Sequence, residues 1–279
     1  MHGTMPTPAM HLALAEKMLR RNDLSSSARR LLNQQRGPFM LGHTAPDVRT
    51  VSGQRREECH FYTVPRTSYR PAHRALFDAY PSLRRMEALS PPQAAFVAGY
   101  IAHLLLDELW LDDVFQHVFL QDWAPLRERL FLHNVLRTWA DHQAQARLNG
   151  TVMEALADVV PDGWLPFVAD EHLCVWRDWL VEQLSKDQGM ETAGVFARRM
   201  GISPAEIERV ATSPPQMENR IFRHFPRSAL RSFHEEGYEG SVVLVDWYVG
   251  GSARGGAARA DHAAPTTGYG SNTIEEMST

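Results

Sequence analysis

An all-α fold, a multi-helix bundle, is the class this sequence predicts, and three observations predict it. Apolar residues recur at three- and four-residue intervals in one segment after another, each bounded by a capping Ser, a Pro or a Gly. No strand-like run is longer than Ser241–Val249, and that run could equally end a helix. The longest apolar stretch, Ser90–His117, opens with Ser90 as N-cap and Pro91 at the first helical position, then carries almost no helix breaker.

In chain order, Pro8–Arg21 reads as an amphipathic helix with Met10, Leu14 and Met18 on its apolar side and His11 beside them. Ser25–Gln35 reads as a short helix that Gly37-Pro38 stops. Phe39–Val48 reads as irregular backbone around Gly42 and Pro46, with Asp47 on a loop that is not simply surface. Val51–Glu58 is polar and reads as exposed, and His60 follows it where the chain turns inward. Ala72–Tyr80 is a helix ended by Pro81. After the central helix, helices are predicted over Asp122–Leu148, Thr151–Val160, Ala169–Leu184, Glu191–Met200, Pro204–Val210 and Pro215–Phe233. From Gly250 the composition is mostly Gly, Ala, Ser, Thr and Pro, too poor in apolar groups to offset the entropy of ordering. The expected organisation is a helical domain over 1–249 and a disordered tail over 250–279.

Composition removes several function classes. A net charge of −4 supplies no overall basic field for a nucleic-acid backbone. The two cysteines cannot build a disulfide framework, and no secretory signal is visible. Ala94–Leu106, interrupted by His103, is too short to span a bilayer. A cytoplasmic location without a transmembrane segment is therefore expected. No Walker A, Gly-x-Ser-x-Gly or His-Glu-x-x-His element is present.

The chemistry begins with His103 and Asp107, four residues apart on one face of the apolar helix. A carboxylate among Phe96, Tyr100, Ile101, Leu104 and Leu106 is costly unless it is paired or holds a metal. A His–Asp hydrogen bond closing a helix seam is the structural alternative. Gly99, on the same face, leaves room for another backbone or a ligand. His11, Asp47 and His60 each have ordinary readings when taken singly: a surface or core histidine, a turn cap, an inward-turning residue. Together the imidazoles and carboxylates suit zinc, with a position left open for water.

Four motifs in this order resemble the zinc-dependent phospholipase C family, within the group that includes the single-strand-specific zinc nucleases. They are Met5-Pro6-Thr7-Pro8-Ala9-Met10-His11, Leu41-Gly42-His43-Thr44-Ala45-Pro46-Asp47-Val48, Glu58-Cys59-His60-Phe61-Tyr62 and Gly99-Tyr100-Ile101-Ala102-His103-Leu104-Leu105-Leu106-Asp107. The resemblance covers about the first half of the chain. It implies an all-α bundle that cleaves phosphoester bonds at a metal cluster. Asp47, His60, His103 and Asp107 would bind one zinc; His11 would bind a second, bridged by Asp107. Asp47 is also the candidate catalytic residue, able to orient or deprotonate water. For further metal or phosphate contacts the residues at hand are His117, His133, Arg137 and Asp141. The sequence departs from the family pattern at His133, which is followed four residues later by Arg137 and not by Glu. One or two zinc ions are therefore expected, and not three. The expected substrate is a small-molecule or lipid phosphoester. A single-strand nuclease and a non-catalytic metal-binding scaffold are the alternatives, and nucleic acid is the less favoured partner on charge.

Overall fold

The computed structural model describes residues 6–148, 150–185 and 191–250. Among them the chain is all-α. Its helices are α1 (Pro8–Leu19), α2 (Ser26–Gln34), α3 (Arg36–Gly42), α4 (Arg49–Ser52), α5 (Arg56–His60), α6 (Ala72–Ala79) and α7 (Pro91–Leu109), continued by a wide-turn segment over Trp110–Phe119. Then follow α8 (Leu126–Gln145), α9 (Gly150–Ala157), α10 (Asp170–Ser185), α11 (Thr192–Met200), α12 (Pro204–Ala211), α13 (Pro214–Met217) and α14 (Arg227–Gly250). Ser241–Val249 is the end of α14. The tail expected over 250–279 lies, beyond Gly250 itself, outside the described residues.

The caps act as the sequence suggests. Thr7 accepts from the Met10 amide at the start of α1, and Ser90 accepts from the Gln93 amide at the start of α7. Every residue of α7 from Ala94 to Leu109 is buried, with α3 packed on one side and α14 on another. Two glycines set the α3–α7 spacing. A Cβ on Gly42 would stand 2.0 Å from the Phe96 carbonyl oxygen, and one on Gly99 would stand 2.2 Å from that of Phe39. The approach that Gly99 permits is therefore that of another backbone. Past Leu109 the helix widens to Phe119, a run of π-type turns. From Pro91 to Phe119 it is long and apolar enough to cross a membrane by length and composition, yet its most apolar window is entirely buried. The expectation of a stretch too short to span stopped at Leu106; what marks the longer helix as core is the complete burial of that window.

Four local expectations change. Residues 39–42 belong to α3, so the irregular backbone expected over 39–48 begins only at His43. Gly37-Pro38 does not stop a helix, because both fall in the first turn of α3, where backbone amides have no intrahelical partner to lose. The polar stretch before Cys59 is partly inward: Gln54 donates to the Phe167 carbonyl at 2.8 Å, and Arg56 opens α5 facing the core. The helix predicted over Pro215–Phe233 is broken. It runs through α13 and a wide turn at Glu218–Phe222, and Pro226 then precedes the first residue of α14.

Buried histidines give the fold an acid sensitivity. His73 on α6 is buried between the Phe77 and Trp247 rings, and burial with the nearby Arg74 charge lowers its pKa to about 4. The unfolded chain therefore takes up a proton below about pH 6.5 that the folded His73 refuses. Its stability contribution is intact above that pH and declines as pH falls towards 4. Between pH 7 and 5, wild type is expected to lose on the order of 2 kcal/mol more than His73→Leu, from paired urea titrations. Equal losses in the two proteins would dismiss His73 as the cause.

Candidate metal centre

Four separate segments deliver five ligand-type side chains to one buried place. His11 lies in the first turns of α1. Asp47 sits on a single 3-10 turn, Ala45–Val48, where Pro46 fixes the backbone. His60 is the last residue of α5, and Phe61 closes that helix in the left-handed region at φ 63°. This conformation is strained for an aromatic residue; the ring is held against Phe167 and Tyr80. His103 and Asp107 share one face of α7. Tyr100 pins α5 to α7 by donating its hydroxyl to the Cys59 carbonyl, one residue before His60, at 2.5 Å.

Asp107 is at the middle. Its Oδ1 lies 3.3 Å from His11 Nε2, and its Oδ2 lies 3.3 Å from His60 Nε2 and 3.5 Å from His103 Nε2. Asp47 Oδ1 is 3.7 Å from His60 Nε2. Tetrahedral bonds of about 2.0–2.2 Å separate ligand atoms by roughly 3.4 Å, so these are the edges that a zinc site would have. Two overlapping sets could each hold an ion: His11, His103 and Asp107, and Asp47, His60 and His103. The sets share His103, while the two oxygens of Asp107 face His11 and His60.

The donor chemistry fits an ion as well as the distances do. His11, His60, His103 and Asp107 are buried, yet both ring nitrogens of His11 and His60, His103 Nε2 and Asp107 Oδ1 have no hydrogen-bond partner. Buried polar atoms left so are expensive, and several of them facing one point are best explained by something they bind. The His103 tautomer follows from geometry. Its Nδ1 lies 2.8 Å from the His43 carbonyl, which can only accept, so Nδ1 carries a proton. Burial opposes a second one, but Asp107 outweighs burial and raises the pKa of the ring. An ion at Nε2 would displace that proton and leave the ligating tautomer. Burial lowers the His11 pKa, and burial with the Arg56 charge lowers that of His60 to about 4, so both rings are neutral at pH 7. Burial works against the charge of Asp107 too, but a protonated His103 beside it outweighs burial and holds the carboxyl well below its usual range, a role the ion would take over.

Arg56, Tyr62 and the backbone of His43 carry no mark in the sequence as members of this site. Arg56 Nη2 donates to Asp107 Oδ2 at 2.8 Å and to the Tyr62 hydroxyl at 2.6 Å, and that hydroxyl lies 3.4 Å from the same carboxylate oxygen. The one available signal was the four-residue spacing from Arg56 to His60, which puts both on one face of α5.

The additional residues considered in the sequence lie elsewhere. His133 is a core histidine: its Nε2 accepts from the Trp110 indole at 2.9 Å, and the Phe115 and Phe119 rings enclose it. That nitrogen is occupied, and neither His133 nor His117 joins a ligand set among the described residues. The His117 Nδ1 bonds the Asp112 carbonyl within the wide turns that follow α7. Asp141 is buried, accepting from the Thr192 hydroxyl at 2.8 Å and from Gln145. Arg137 does reach the neighbourhood. With Arg49, Arg56 and Arg199 it lines a cavity of about 100 Å³ that Asp47 also lines.

No family model, no curated protein and no solved structure matches this chain. The fold and a buried His/His/Asp cluster able to hold a divalent metal are what the chain itself establishes.

Proposed function

We propose that the chain is a zinc-dependent phosphoesterase-like hydrolase of the phospholipase C and nuclease type. The observation that supports this reading is the meeting of His11, Asp47, His60, His103 and Asp107 at one buried point, with ligand atoms 3.3–3.7 Å apart where measured. When bound there, zinc would polarise a phosphoryl oxygen and acidify water from a pKa of about 16 towards about 7.

The chain's own residues divide the remaining work. His11, His60, His103 and Asp107 are buried and hold; Asp47, whose side chain is 21% exposed, also lines the open cavity. Asp47 is therefore placed to orient an attacking water and to take its proton as the water oxygen bonds phosphorus and the ester P–O bond breaks, the departing oxygen taking a proton from solvent. The His43 carbonyl keeps the His103 ring in its ligating tautomer. Arg56, which also lines the cavity, holds Asp107, and the Tyr62 hydroxyl steadies the pair. Trp179, which lines the same cavity and is partly exposed, offers a flat surface for the organic part of a substrate. An aromatic wall beside arginines is a feature a single-strand nuclease needs, and it favours that as the second reading.

Elemental analysis of the purified chain should find one or two zinc ions. A panel of phosphomonoesters, phosphodiesters, phospholipids and single-stranded DNA should show metal-dependent turnover on at least one class. Asp47→Ala should lower kcat by roughly 10²–10⁴-fold, the usual contribution of a general base. Zinc bound without turnover on any class would leave a metal-binding scaffold, and absence of zinc would remove the hydrolase reading altogether.

A further inference from the structure

The cavity beside Asp47 has a charge pattern that a metal site does not require. Arg49, Arg56, Arg137 and Arg199 line it, drawn from α4, α5, α8 and α11, beside two carboxylates, Asp47 and Glu191, with Arg56 already paired to Asp107. One of those carboxylates already belongs to the metal cluster. Arg137 is only 4% exposed, its guanidinium 4.0 Å from the centre of the Phe196 ring and 3.2 Å from the Asn134 side-chain oxygen. Burial, and then the neighbouring Arg199 charge, push its pKa below the ordinary value. Gathering guanidiniums around a half-enclosed space costs desolvation and mutual repulsion, and an anion in that space offsets both. Planar guanidinium forks match the oxygens of a phosphate better than any other side chain does. A water needs about 10–15 Å³ on the same measure, so the roughly 100 Å³ present admits a group several times larger.

We propose that this cavity is a phosphate-binding site, with Arg137 and Arg199 gripping the oxyanion, Arg49 and Arg56 flanking it, and the organic portion of the ester lying on Trp179. As a statement about substrate it rests on the hydrolase reading; as a statement about anion binding it does not. It makes the ligand a phosphate ester with at least one flat or apolar substituent. A lipid headgroup and a nucleotide share that chemistry.

The test is calorimetric titration of inorganic phosphate into the purified full chain, with zinc content measured on the same samples. Saturable binding is expected, weakened roughly ten- to a hundredfold by Arg199→Gln or Arg137→Met, the loss that follows from one charged hydrogen-bonding partner. Zinc content should be unchanged in both. Arg199 lies at the rim, so its variant keeps the test decisive if Arg137→Met fails to fold. Phosphate binding that both folded variants retain at wild-type strength would overturn the proposal, as would no binding to wild type at millimolar phosphate. Arginine-dependent phosphate binding in a chain that holds no zinc would sustain this site while removing the hydrolase. Glycerol phosphate and a mononucleotide form the last two arms: binding of either with the same arginine dependence supports the site, and the tighter of the two identifies the source.

Discussion

Asp107→Asn is expected to empty the site of metal. The substitution preserves shape but removes the charge on which three imidazoles, Arg56 and Tyr62 converge. Losing a hydrogen-bond partner behind a metal ligand typically weakens binding about 10- to 100-fold, and losing a central carboxylate should exceed that. After dialysis, wild type should keep its zinc and the variant should carry almost none. A second readout separates lost metal from damaged fold. An ion at a thousand times its Kd stabilises the native state by about 4 kcal/mol, so zinc should raise the Tm of wild type and leave that of the variant unmoved. Breaking a buried ion pair on one side commonly costs about 3–5 kcal/mol, so the variant is also expected to be less stable without metal, Arg56 being left with a weaker partner. Full zinc occupancy in Asp107→Asn would show that the carboxylate only closes a hydrogen-bonded seam between helices.

The part of this site that the sequence disclosed is the part encoded locally. His103 and Asp107 stand four apart on a well-capped helix, and a carboxylate in so apolar a run needs a partner, whatever the rest of the chain does. His11, Asp47 and His60 were readable only through their order along the chain, since each alone has an ordinary structural reading. The arginine cavity was not readable as a unit. Its members come from elements separated by up to 150 residues, in a chain where nearly every basic residue is Arg, so none is distinctive. Arg137 stands out in the sequence only by its position after His133, and its neighbours Arg49, Arg56 and Arg199 do not stand out at all. The grip of the His43 carbonyl on His103 is a backbone contact, invisible to any side-chain pattern. His133 is opaque for a related reason: its partner, the Trp110 indole, is 23 residues earlier and meets it only where α8 packs beside the helix that continues α7. Boundaries failed where proline acts by context. At Pro38 the first turn of α3 tolerates the ring, and at Pro226 the same ring separates α14 from the helical turns before it.

Gly99→Ala, like Gly42→Ala on the facing helix, should be among the costliest single methyls added to this fold. An added Cβ would lie 2.2 Å from the Phe39 carbonyl oxygen and 2.8 Å from the His43 amide nitrogen, where ordinary contacts begin near 3.4 Å. Both obstacles are backbone atoms, so no rotamer change relieves them and α3 must move away from α7. Overpacking a core costs about 1–3 kcal/mol when side chains can adjust, and here they cannot, so at least about 3 kcal/mol is expected. At about 2–4 °C per kcal/mol for a chain near this size, the Tm should fall by roughly 6–12 °C or more. The movement also reaches the metal centre, because α3 leads directly into His43, whose carbonyl fixes His103 at 2.8 Å. Zinc affinity should therefore fall together with stability. Gly240→Ala on α14 is the matched control. Its Cβ would meet only the Leu105 Cδ2 at 3.1 Å, the movable end of a side chain, and alanine gains about 0.5–1 kcal/mol over glycine inside a helix. That variant should be near neutral or slightly stabilised. If Gly99→Ala melts within two degrees of wild type and binds zinc equally well, the close approach of α3 and α7 does not hold the metal centre in place.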